Sequence, residues 1–129
     1  MPMPKKPTTY EFRAQCLKII DGDTVDLYVD LGFHEYRVDR FRIHGIDTAE
    51  LNSKDTVTKQ KAVEAKNKVE EWLKPQMITQ SWPLRIVTYK DPDSFGRWLA
   101  EIFFKDPEGT EQSVGQLLMD LKLAVEYKR

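Results

Sequence analysis

Three short segments of this chain carry acids, arginines and turn-forming glycines: Asp21-Gly22-Asp23-Thr24, then Phe41-Arg42-Ile43-His44-Gly45-Ile46-Asp47-Thr48-Ala49-Glu50, then Asp93-Ser94-Phe95-Gly96-Arg97. Carboxylates offer hard oxygen ligands to a divalent cation, or orient a water molecule. Arginine offers a planar fork of donors that suits an anionic oxygen pair and stays charged at any working pH. Together these residue types suit chemistry on an anionic ester. Each segment alone also has a plain structural explanation. Asp and Gly form turns for local reasons, and an arginine after a glycine turn is commonly a surface residue. The second segment poses a geometric question as well. Strict alternation would send Arg42 and Asp47 to opposite faces of a strand. They meet only if the chain bends between them, and Gly45 is where a bend is expected.

Positioning these residues falls to the elements around them. Residues 10–20 read as a strand, the Asp-Gly-Asp turn follows, and 24–33 alternates with Val25, Leu27, Val29 and Leu31 on one face. A third run, 35–46, extends again with Tyr36, Val38, Phe41 and Ile43, giving an antiparallel meander. Residues 47–57 are polar and aperiodic and predict a loop. From Thr58 the spacing turns helical, with Ala62, Ala65, Val69, Trp72 and Leu73 on one stripe and Pro75 as the stop. Two further strands are expected over 84–89 and 98–104, and Ser113 with Gln116 marks the start of a helix to about Leu123. The order β-β-β-α-β-β-α predicts a mainly β, α+β architecture. Its expected form is a five-stranded, OB-fold-like Greek-key barrel with a helix inserted after strand 3 and a second helix near the C-terminus. Residues 1–9 read as a flexible Pro-rich lead and 10–127 as a single domain.

Bulk properties bound the function. At 129 residues, 40% hydrophobic and 32% charged, the chain can bury one core without disulfides. Twenty basic and twenty-one acidic residues leave a formal charge of −1, so no global positive field draws in a polyanion. This weighs against a pure nucleic-acid-binding module and less against an enzyme whose acids a cation offsets. Cys16 is alone and forms no intramolecular disulfide. The lead lacks the apolar run of a secretory signal, and no stretch reaches membrane-spanning length, so a cytoplasmic location is expected.

Taken in order, IDGDT, FRIHGIDTAE and DSFGRWLA, with GQLLMDLKLAVEY near the end, resemble the staphylococcal nuclease (thermonuclease) family over roughly residues 10–127. That resemblance implies the same barrel and a Ca²⁺-dependent nuclease cutting DNA and RNA, with single strands preferred and no obligate protein partner in a monomeric state. It implies that Asp23 and Asp47 ligate the metal with the main-chain carbonyl of Thr48, Mg²⁺ or another divalent ion being an alternative. Asp21 belongs behind them as a turn former. Glu50 would hold the attacking water, while Arg42 and Arg97 would grip the phosphate. Water would attack in line, the 5′ oxygen would leave, and 3′-phosphate ends would result.

The chemistry agrees with such roles. The transition state of phosphodiester hydrolysis gains negative charge, so catalysis consists largely of placing a water and of placing cations where charge develops. Three carboxylates with a divalent cation sum to −1, and two arginines bring the site to +1. A carboxylate of ordinary pKa is a weak base, so Glu50 would orient water more than deprotonate it.

Several positions depart from the family pattern. Ala49 stands where proline is usual, removing a fixed φ beside Glu50. Ser94 and Phe95 replace a lysine and a tyrosine that contact a terminal phosphate. A further C-terminal helix of the type enzyme has no counterpart in these 129 residues. His44 reads as a hydrogen-bonded structural residue, the helix lysines as a solvated face, and Trp72, Trp82 and Trp98 as core or rim. Two rivals remain: a nuclease-like barrel that binds without cutting, and a generic single-strand binder whose acids only form turns.

Overall fold

The alternation of the first three runs sets the sheet. In a computed structural model describing residues 9–77, 81–89, 92 and 96–127, β1 (Thr9–Asp21), β2 (Thr24–Gly32) and β3 (Glu35–Ile43) form the expected antiparallel meander. The expected lead over 1–8, and Asp93, Ser94 and Phe95, lie outside the described residues. Ala14 and Cys16 from β1, Val25, Leu27 and Val29 from β2, and Phe41 and Ile43 from β3 are buried together. Leu31, expected on the same face, is exposed. The β2–β3 loop has two residues, Phe33 and His34, both with positive φ (57° and 58°), as tight hairpins require.

Beyond β3 come β4 (Ile46–Thr48), α1 (Thr56–Met77), β5 (Leu84–Tyr89) and β6 (Trp98–Lys105). They are followed by β7 (Glu111–Ser113), α2 (Val114–Asp120) and β8 (Ala124–Glu126). β5 pairs antiparallel with both β1 and β6, and β6 pairs in parallel with β3 through Phe41↔Trp98, Arg42↔Leu99 and Ile43↔Ala100. The main sheet therefore closes on itself, running β1, β2, β3, β6, β5 and back to β1. Leu84, Ile86, Ala100 and Ile102 complete the interior, and the α1 stripe of Ala65, Val69 and Leu73 joins the same core. Trp72 lies half-buried against Phe104. Among the described residues, no helix is long and apolar enough to cross a membrane.

Several boundaries differ from expectation, each for a local reason. The third run is interrupted at Gly45, whose φ of +81° turns the chain, and the expected loop begins with the short strand β4. α1 starts at Thr56 because Asp55 caps it, accepting from the Val57 N–H at 3.4 Å and the Thr58 hydroxyl at 2.6 Å. Pro75 does not end α1. It falls in the last turn, where a missing N–H forfeits a single bond, and the next residue, Gln76, ties that turn to the Lys105 carbonyl at 3.1 Å. Ser113 caps α2 as expected, taking the Gln116 N–H at 3.2 Å. The Gln116 amide bonds Asp120 instead of closing a capping box, and α2 ends at Asp120 rather than near Leu123.

Cys16 gives a direct check on the core. It is buried, and burial pushes its thiol up to about 11. The thiol should resist an alkylating reagent at neutral pH until the protein opens. Because its folded pKa exceeds the ordinary value, this group favours folding below pH 9 and loses that contribution as pH rises towards 11. Equal iodoacetamide rates for the native and urea-unfolded chains would contradict this placement.

Candidate functional site

Gly22 explains how the first acidic turn is held. A Cβ on Gly22 would meet the Ala65 Cβ at 2.7 Å and Thr48 side-chain atoms at 3.2 Å. The turn thus rests directly on α1 and β4, which fixes Asp23 beside Thr48. Gly22→Ala should destabilise the fold by roughly 1–3 kcal/mol through overpacking against that contact. An unchanged urea midpoint with an unchanged slope would show that the contact yields freely.

The same turn meets the end of β3. The Ile43 N–H donates to the Asp23 carbonyl at 2.8 Å, and Thr24 pairs with Arg42 across the β2–β3 ladder. Arg42 is buried on the side of β3 opposite Phe41, so its charge needs partners. The bend at Gly45 supplies one: Arg42 Nη2 reaches Asp47 Oδ1 at 2.9 Å and lies 3.7 Å from Asp23 Oδ2. Tyr127 closes the cluster from the β8 side. Its N–H donates to the Gly45 carbonyl at 2.9 Å, and its ring lies 4.7 Å from the Arg42 guanidinium carbon.

Asp23 is held at both oxygens. Oδ1 accepts from the Thr24 hydroxyl at 3.0 Å, and Oδ2 accepts from the Thr48 N–H at 3.2 Å. Burial by itself would raise this carboxyl. The shared hydrogen bond with Asp21, the Thr48 N–H, the Arg42 guanidinium and the Thr24 hydroxyl together hold it below the ordinary carboxylate range. Asp21 moves the other way: burial first, then its hydrogen bond with Asp23 and that group's charge, push it up to about 6. Asp23 and Asp47 thus share one guanidinium, with Asp21 bonded to Asp23, and the cluster is short of positive charge.

The structure unites four of the six expected site residues: Asp23, Arg42, Asp47 and Thr48. Glu50 lies two residues past β4 with an exposed carboxylate that bonds no described residue. Arg97 is half-buried directly before β6. The parallel register Arg42↔Leu99 sets it on the strand beside β3, two residues before Arg42's partner. His44 stacks on Tyr89 with centroids 3.9 Å apart, a packing role in place of the hydrogen bond expected for it. Tyr127 went unnoticed in the sequence. Its place over Arg42 depends on the β4–β8 pairing, which joins segments about eighty residues apart and leaves no local pattern.

The donor set bears on whether a cation fits. Among the described residues, no three His, Cys, Asp or Glu side chains are grouped to hold a metal. Two carboxylates, Asp23 and Asp47, approach the same Arg42 nitrogen, so they face a common point. The Tyr127–Gly45 bond makes Asp47↔Val125 the next hydrogen-bonded pair, so alternation leaves the Thr48 carbonyl out of the β4–β8 ladder. Two carboxylates and a carbonyl are hard oxygen donors of the kind Ca²⁺ accepts, with water filling the remaining positions. The donors fit in chemical type, and the cation would compete with Arg42 for Asp47.

Comparison of the chain with protein-family models and with curated proteins finds no match.

Proposed function

We propose that this chain is a metal-dependent phosphodiesterase cutting single-stranded DNA and RNA, on an OB-fold barrel of the staphylococcal-nuclease type. One observation carries the reading. Asp23 from the β1–β2 turn, Arg42 from β3, and Asp47 and Thr48 from β4 meet at one charged cluster, with Gly22 and Gly45 shaping the approach. The strand order, with its β3–β6 closure and a helix between β4 and β5, supports the barrel assignment.

In this reading Asp23, Asp47 and the Thr48 carbonyl hold a divalent cation, Ca²⁺ in the first instance. The cation supplies positive charge for the phosphate oxygens. Arg42 and Arg97 hold the diester by forked hydrogen bonds, and Glu50 orients the attacking water. The 5′ oxygen departs and leaves a 3′-phosphate.

The test is incubation of single-stranded DNA and of RNA with Ca²⁺, Mg²⁺ or EDTA, followed by end-group analysis. Cleavage with Ca²⁺, none with EDTA, and 3′-phosphate ends are expected. Intact substrate under every condition overturns the proposal.

A second reading has its own support. Arg42 already pairs with Asp47 at 2.9 Å without metal, and the Glu50 carboxylate bonds no described residue. A non-cutting nucleic-acid-binding barrel fits those two facts, and it would bind single strands equally well in EDTA.

A further inference from the structure

We propose that Tyr127 is a positioning residue for the candidate site: its ring holds the Arg42 guanidinium and keeps that group's unspent N–H donors available to an incoming phosphate. The inference deepens the phosphodiesterase reading and rests on it for the reaction that Arg42 serves.

The donors of Arg42 provide the starting point. A guanidinium carries five N–H groups in one plane. Arg42 commits one nitrogen, Nη2, to Asp47 at 2.9 Å, with Asp23 Oδ2 3.7 Å from the same atom. Its Nε and Nη1 bond no described residue, although the side chain is only 8% exposed. Among the described residues no buried side-chain nitrogen or oxygen lacks a partner, so these two nitrogens reach solvent. A largely buried cation with donors left open to solvent suits an anion arriving from outside.

Such a guanidinium still has to be held. Two carboxylates at one nitrogen fix one corner of the group and leave the remainder free to swing. Tyr127 supplies the second hold, with its ring centroid 4.7 Å from Arg42 Cζ and within cation–π range. That attraction acts on the whole cation and requires no particular N–H, so it restrains the group while Nε and Nη1 stay unspent. The Tyr127 hydroxyl bonds no described residue, so the ring makes the contact.

The same residue fixes the bend that brings the acid to the arginine. The Tyr127 N–H donates to the Gly45 carbonyl at 2.9 Å, and the φ of +81° at Gly45 turns Asp47 back towards Arg42. Main chain and side chain of Tyr127 therefore secure two parts of one arrangement. Core packing does not account for this position. Of the three residues of β8 only Ala124 is buried, and Tyr127 just beyond it is 43% exposed.

The test uses the full chain and a thymidine dinucleotide with Ca²⁺. Tyr127→Leu keeps the apolar bulk and the backbone N–H but removes the aromatic face, whereas Tyr127→Phe keeps that face. Tyr127→Leu should lower kcat by on the order of tenfold with KM nearly unchanged, and Tyr127→Phe should retain most of the native rate. A second readout needs no turnover. The Arg42 Nε–Hε NMR signal, assigned by its loss in Arg42→Lys, should carry a ring-current shift in the native and Tyr127→Phe chains and lose it in Tyr127→Leu. Should Tyr127→Leu fail to fold, a nuclear Overhauser contact between the Tyr127 ring and the Arg42 side chain of the native protein takes its place. An Arg42 signal indifferent to the ring, or no such contact, overturns the proposal. So does a rise in KM alone, which would make Tyr127 a surface for the base, or an equal loss of kcat in both variants. A ring-dependent Arg42 signal in a native chain that cleaves nothing would retain the contact and remove the catalytic reading. Cleavage with a ring-independent signal would do the reverse.

Discussion

Arg42→Lys and Arg97→Lys should each lower turnover on a single-stranded oligonucleotide by on the order of 10²- to 10³-fold, with a much smaller change in KM. That ratio is the usual consequence of losing one preorganised donor to transition-state charge, about 2.7 to 4 kcal/mol. Lysine is the informative substitution at position 42. Arg42 is buried between Asp23 and Asp47, and removing the charge would leave Asp23 buried without its cation, mixing unfolding with catalysis. A lysine keeps the charge and loses the fork, so it isolates geometry. Circular dichroism confirms that each variant folds, and kcat and KM are then measured at fixed salt. Near-native kcat in both variants would make these arginines simple anchors and the proposed mechanism wrong.

Much of this arrangement was legible in the sequence, because the informative residues act locally. Asp-Gly-Asp-Thr is a turn wherever it occurs, and Gly45 was the one point at which Arg42 and Asp47 could turn towards each other. The φ of +81° at Gly45 and the 2.9 Å contact between those side chains are that bend. The α1 stripe of Ala62, Ala65, Val69 and Leu73 followed from helical spacing alone. Three-residue strands did not, since β4, β7 and β8 are too short for any period to register. Tyr36 and Val38 were grouped with Phe41 and Ile43 as one apolar run. Position parity divides them, and the first pair faces solvent. Pro75 marked a stop that tertiary contact overrode by one half-turn. Nothing local in the sequence sets the direction of Glu50, because it lies in a segment that belongs to no strand or helix.

The last expected result concerns metal and stability. Asp23 and Asp47 approach one guanidinium, Asp21 adjoins Asp23, and the rise of Asp21 to about 6 registers burial together with its hydrogen bond to Asp23 and that group's charge. A divalent cation bound only by the folded chain relieves the excess negative charge and stabilises the fold by mass action. The gain is about 2.7 kcal/mol at 100 times the dissociation constant and about 4.1 kcal/mol at 1,000 times. Thermal melts in Ca²⁺ and in EDTA, at matched ionic strength, should therefore differ in midpoint. Mg²⁺ should shift the midpoint less, since it demands near-octahedral placement that the β1–β2 turn and β4 have no evident means to supply. Asp47→Asn provides the control within the chain. Its amide oxygen can still accept from Arg42, so the fold keeps that hydrogen bond while the ligand charge is gone. The Ca²⁺ shift should shrink in this variant without a comparable loss of stability in EDTA. Identical native midpoints in Ca²⁺ and EDTA would mean that Arg42 alone balances these acids, and would favour the non-cutting barrel over the phosphodiesterase.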